Sequence, residues 1–134
     1  MRTAALARLR DRSKRLYGNA DRLQVAYAVA KSSGVVHAQE LSDVLSVSPP
    51  RVRAQLLAFV DAGLMRTLPR SGHIQNYEQL KDPFWDATTS YIEASMEDPV
   101  AELGLGAEAT EEHPDRSRRN SARESRMERV LRRP

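Results

Sequence analysis

Apolar side chains recur at helical spacing along most of the chain. Leu6, Leu9 and Leu16, with Ala4, Ala5 and Ala7 around them, mark an amphipathic helix within residues 2–16. Gly18-Asn19 breaks it. From Asp21, a residue suited to helix capping, Leu23, Ala26, Tyr27 and Ala30 fall at i, i+3, i+4 and i+7. Ser32-Ser33-Gly34 ends that helix, and Val35-Val36 is a short extended pair. A brief helix with Leu41, Val44 and Leu45 inward follows. His37 stands at its cap and Glu40 three residues on, the spacing of a capping box.

Ser48 then suits an N-cap, and Pro49 and Pro50 a first turn whose N–H groups have no helical partner. The helix they open buries Val52, Leu56 and Phe59 and ends at Asp61-Ala62-Gly63. Leu64 to Leu68 reads as a strand, Pro69 to Gly72 as a turn, and Ile74 to Tyr77 as a returning strand. After Asp82-Pro83 a last helix carries Phe84, Trp85, Thr88, Tyr91, Ile92 and Met96. A short helix, a tight turn and a longer helix form the helix-turn-helix pattern, and a hairpin directly after it is a wing. The predicted fold is mainly α: a winged helix-turn-helix domain with a short β-hairpin wing and a flexible C-terminal tail.

Charge sharpens the organisation. The 134 residues carry a net charge of +3, which by itself does not suggest nucleic acid. The charge is uneven: +5 over residues 1–15, −1 over 16–95, −7 over 96–115 and +6 over 116–134. Like-charge blocks are usually solvated interaction segments. The expected domains are a basic N-terminal helix and dimerisation arm over 1–17, the winged domain over 18–96, and an acidic linker with an Arg-rich tail over 97–134. Met127, Val130 and Leu131 would let that tail become helical against a protein partner. Of the 21 cations 18 are Arg, which suits phosphate and guanine contacts and equally a GC-rich genome. Cysteine is absent, which excludes a disulfide scaffold and a thiol nucleophile. No apolar run approaches the ~20 residues of a membrane span, so a cytoplasmic protein with no membrane association is expected.

The stretch Ala38 to Ser48 resembles the first helix and turn of the ArsR- and MarR-type winged helix-turn-helix regulators. Arg51 to Leu64 resembles their recognition helix, with the ending Asp61-Ala62-Gly63-Leu64 as its most characteristic part. The hairpin and Tyr77 to Trp85 are also similar to the ArsR type. The resemblance spans roughly residues 20–95. It implies a homodimer that binds near-palindromic duplex DNA and controls transcription. It also implies an interface built by the first and last helices, through Leu6, Leu9, Leu16, Phe84, Trp85, Thr88, Tyr91 and Ile92. The chain departs from that pattern at Ser46, where the family has a turn glycine, at the paired prolines, and at apolar Leu57 and Val60. Without cysteine, the resemblance concerns the fold and not metal sensing.

The candidate DNA-binding residues follow from that geometry. Arg51 and Arg53 open the expected recognition helix, the end that enters the major groove. Arg can take guanine O6 and N7 together, and Gln55 one turn on can read adenine. Cations at a helix N-terminus oppose its dipole, and phosphate contact would account for them. The plain alternative is a solvated first turn. Ser48, Pro50 and Ala54 complete this surface. Arg66, Arg70 and His73 lie on or beside the wing, where phosphate contacts would position the protein without specifying sequence. His37 and Glu40 are too few for a metal site, and no metal or cofactor is expected. No Ser-His-Asp set, paired carboxylates or Gly-rich phosphate loop is visible, so no enzymatic role is expected. The competing reading is a winged-helix protein-interaction module, motivated by the near-neutral domain, the double proline and Leu57 and Val60.

Overall fold

The computed structural model describes residues 4–105. The acidic residues from 108 on and the Arg-rich tail, with Met127, Val130 and Leu131, lie outside them. The elements are α1 (Ala4–Tyr17), α2 (Arg22–Ala30), β1 (Val35–His37), α3 (Ala38–Leu45), α4 (Pro49–Asp61), β2 (Met65–Thr67), β3 (Asn76–Gln79), α5 (Pro83–Ser95) and α6 (Pro99–Glu102). The fold is mainly helical with a small antiparallel sheet of order β1-β3-β2. Val36 pairs with Tyr77, and Arg66 with Glu78. The returning strand lies two residues later than its expected start. Ile74 instead closes the hairpin turn in a bridge to Ser71.

Helix α2 is the centre. Every residue from Leu23 to Val29 is buried, because α1, α3, α4 and α5 all pack around it. A helix apolar on nearly every side is what such a position requires. The expected stripe of Leu23, Ala26 and Tyr27 is therefore only part of its contact surface. Tyr27 Oη donates to Glu93 Oε2 at 3.0 Å and ties α2 to α5. Burial first, and then the bond to Glu93, pushes the Tyr27 hydroxyl up to about 12. Phe59, Phe84 and Trp85 form an aromatic cluster in which Trp85 meets both rings edge-on, with centroids 5.4 and 5.1 Å away. Trp85 Nε1 donates to the Leu80 carbonyl at 2.9 Å, which fixes the entry of α5.

Local signals set the helix ends. His37 Nδ1 accepts from the Glu40 N–H, and Glu40 Oε1 accepts from the His37 N–H, so the capping box is formed. Helix α4 ends at Gly63 (φ +79°) in a Schellman turn: Gly63 N–H donates to the Val60 carbonyl and Leu64 N–H to that of Phe59. Ser46 holds a left-handed φ of 56° in the turn between α3 and α4, the position given to glycine in the resembling family.

Helix α1 packs on the body through Leu9 and Ser13, which are buried, and one boundary needs correction. The first part of the expected acidic linker is folded. Pro99 and Leu103 are buried, and α6 ends at Gly104 against α3. A Cβ at Gly104 would stand 2.6 Å from the Val44 carbonyl oxygen, so only glycine allows this approach. The apolar side chains in this stretch, few as they are, find a place on the core edge.

The core also claims half of the expected dimer contacts. Leu9, Trp85, Thr88 and Ile92 are buried within the single chain, so they are not free for a partner. Leu6, Phe84 and Tyr91 are half-buried, and Leu16 is 61% exposed on the last turn of α1.

Candidate nucleic-acid interface

The start of α2 grips α4 with two adjacent residues. Asp21 accepts from Arg51 Nε (3.0 Å) and Nη2 (2.6 Å), and Arg22 Nε donates to Gln55 Oε1 (2.6 Å). Arg51 and Gln55 are one helical turn apart, so neighbours on α2 meet a single edge of α4. Arg10 of α1 donates to the same Asp21 at 2.6 Å. Asp21 was expected to cap α2, yet its side chain caps nothing. Its carboxylate is taken by the two guanidinium groups. The buried hydroxyl of Ser13 replaces it, accepting from the Leu23 N–H at 3.0 Å while donating to the Asn19 carbonyl at 2.6 Å. Burial raises the Asp21 carboxyl, but the bonds from Arg51 and Arg10 and their charges outweigh it and hold the group below its ordinary value. The same bond to Asp21 pushes Arg51 up.

Gln55 is therefore a correction. It is 2% exposed and committed to Arg22, so it presents nothing to a ligand. The signal was in the helical phase: position 55 follows Val52 by three residues and precedes Phe59 by four, within the buried stripe. Its polar side chain suggested exposure, and Arg22 supplies the partner that allows burial.

The outer side of α4 exposes Pro50, Arg53, Ala54 and Leu57. Ser48 holds the N-cap position, but its side chain makes no cap bond. Pro49 and Pro50 remove two N–H groups from the first turn, so an anion there must be met by side chains. Arg53 has no hydrogen bond or ion pair among the described residues. It lines a groove of about 600 Å³ with Arg70 and His73 of the β2–β3 hairpin and with His37 and Gln39 at the start of α3. Arg70 likewise has no partner among the described residues. Arg66 does not join them: it sits on β2 opposite Glu78 and pairs with that carboxylate across the strands.

The structure thus brings together Arg53, Arg70 and His73, keeps Arg51 at the adjoining helix end, and sets Gln55 and Arg66 aside. Sequence reasoning missed His37 and Gln39 as groove residues and Asp21 as the partner of Arg51. The groove suits a polyanion, since Arg53 and Arg70 present guanidinium groups free of internal carboxylates. Among the described residues no group of His, Asp and Glu is placed to hold a metal, and no helix is long and apolar enough to cross a membrane. The chain matches no protein-family model, no curated protein and no solved structure.

Proposed function

We propose that the chain is a winged helix-turn-helix regulator of transcription that binds duplex DNA as a homodimer in the cytoplasm and acts by binding rather than catalysis. The observation that carries this reading is the groove between α4 and the hairpin, where Arg53 and Arg70 lack internal partners. The α3–α4 pair, turned at Ser46, presents the outer side of α4 to the major groove. Arg53 meets phosphate, Leu57 meets a thymine methyl, and Arg70 and His73 follow the backbone. Residues 16–95 hold seven cations and eight anions, so the winged body has no net attraction for DNA. The flanking +5 and +6 segments supply it, in a salt-dependent form.

Titration of the full chain against labelled duplexes at rising salt tests the reading. Log affinity should fall linearly with log salt, and Arg53→Ala should weaken binding on every sequence. No binding above background at low salt overturns it. The neutral body and Leu57, 45% exposed on the outer side of α4, favour a second reading as a protein-interaction module. That reading predicts a protein complex that survives nuclease and is lost in Leu57→Asp.

A further inference from the structure

We propose that Asp21 is a specificity-determining residue: it holds the Arg51 guanidinium by one edge so that the opposite edge reads a single guanine. This rests on the DNA-binding reading above. A guanidinium has five N–H donors on two usable edges. Asp21 occupies the side edge, through Nε at 3.0 Å and Nη2 at 2.6 Å. Both protons of Nη1 and the outer proton of Nη2 remain. One Nη1 proton and the outer Nη2 proton form the end-on fork that matches guanine O6 and N7. The burial agrees with this orientation: the Asp21 side chain is 7% exposed and that of Arg51 45%. The Arg51 side chain thus stays half open to solvent beside its buried partner.

Asp21 is itself immobilised. Arg10 Nη1 donates to its Oδ1 at 2.6 Å, and its backbone N–H donates to Asn19 Oδ1 at 2.8 Å. Its carboxylate is held ionised by these cations. Arg51 has therefore lost its side-chain freedom during folding, and binding does not have to remove it again. The cluster of Arg10, Asp21 and Arg51 keeps one net positive charge, so it still favours DNA. Arg53, two residues on, has no such support. A free guanidinium suits phosphate, which accepts from many directions, and a held one suits a base edge, which does not.

The test is selection of bound duplexes from a random pool by the full chain, followed by competition titrations. The variants are Asp21→Asn, Arg51→Lys and Arg53→Ala. Wild-type protein should prefer G·C at one position by about tenfold or more. Arg51→Lys keeps the charge and should lose that preference with little change in salt slope. Asp21→Asn adds a net positive charge, so it should bind unrelated duplexes at least as well while losing the same preference. Arg53→Ala should weaken all sequences alike. A purely structural role for Asp21 would lower affinity on every sequence and leave the base preference intact, and that result overturns the proposal. If Asp21→Asn does not fold, a retained preference in Arg51→Lys overturns it equally. Wild-type binding without a guanine preference removes this inference alone, whereas no wild-type binding removes the DNA-binding reading with it.

Discussion

Two polar regions flank α4, and they treat charge in opposite ways. At the corner where α1, α2 and α4 meet, Asp21 is closed off by Arg10 and Arg51, and Arg22 by Gln55. In the groove beside the hairpin, Arg53 and Arg70 meet no carboxylate among the described residues. The corner is sheltered, so each charge there needs a partner inside the chain. The groove is open to water, so its cations can remain unpaired until an anion arrives. Paired charge at the corner orients the helices and fixes the Arg51 guanidinium, while the unpaired charge of the groove is left for an anion from outside.

The largest test of this contrast removes the carboxylate at the corner. Asp21→Ala leaves the Arg10 and Arg51 guanidinium groups close together without their anion. It should cost about 2–3 kcal/mol in urea unfolding, less than breaking a fully buried pair, because the Arg51 side chain is 45% exposed. A loss below 1 kcal/mol would mean that the corner is as weakly coupled as a surface pair. The same site sets an acid limit. The folded carboxyl is held below its ordinary 3.8, so its stabilisation is complete above that value and is lost as pH falls through the lower folded value. Thermal unfolding of Asp21→Asn should therefore depend less on pH in that acid range than that of the wild type.

Ser13→Ala should cost about 1–3 kcal/mol, because the Leu23 N–H loses its buried acceptor at the same corner. An unchanged unfolding midpoint would show that water replaces the hydroxyl. Ser46→Gly should act in the other direction, by about 0.5–1 kcal/mol. Glycine adopts the left-handed φ freely, though it adds freedom to the unfolded chain. A loss of stability would mean that the Ser46 side chain does more than tolerate its backbone. The smallest effect on folding belongs to the groove. Arg53→Ala and Arg70→Ala should each leave stability within about 0.5 kcal/mol, since neither side chain has an internal partner. Each should reduce the salt slope of DNA binding by about 1 if it meets a phosphate.

Much of the fold was legible because its signals are local. Ser48-Pro49 and Gly63 bracket α4, and Asp82-Pro83 opens α5 with the Asp82 carboxylate accepting from the Phe84 N–H. The His37–Glu40 capping box spans three residues and needs nothing beyond them. The candidate site was half legible. Arg53, Arg70 and His73 were chosen separately, from a helix start and a hairpin, and the groove joins them. Gln55 was misplaced because its partner, Arg22, is 33 residues away. The expected dimer contacts failed in a related way. An apolar stripe shows that Trp85 and Ile92 are buried, but not whether the same chain or a second copy covers them.

The sequence alone determined where α2 to α5 begin and end and which of their apolar residues face inward, because capping, glycine geometry and apolar period act within a few residues. The tertiary structure decided how the polar side chains are used. Asp21 has the composition of a cap and becomes the partner of two arginines, while Ser13, from another helix, supplies the missing acceptor. A carboxylate in a sheltered corner is stabilised most by the cations that packing brings to it, and their distance along the chain does not matter.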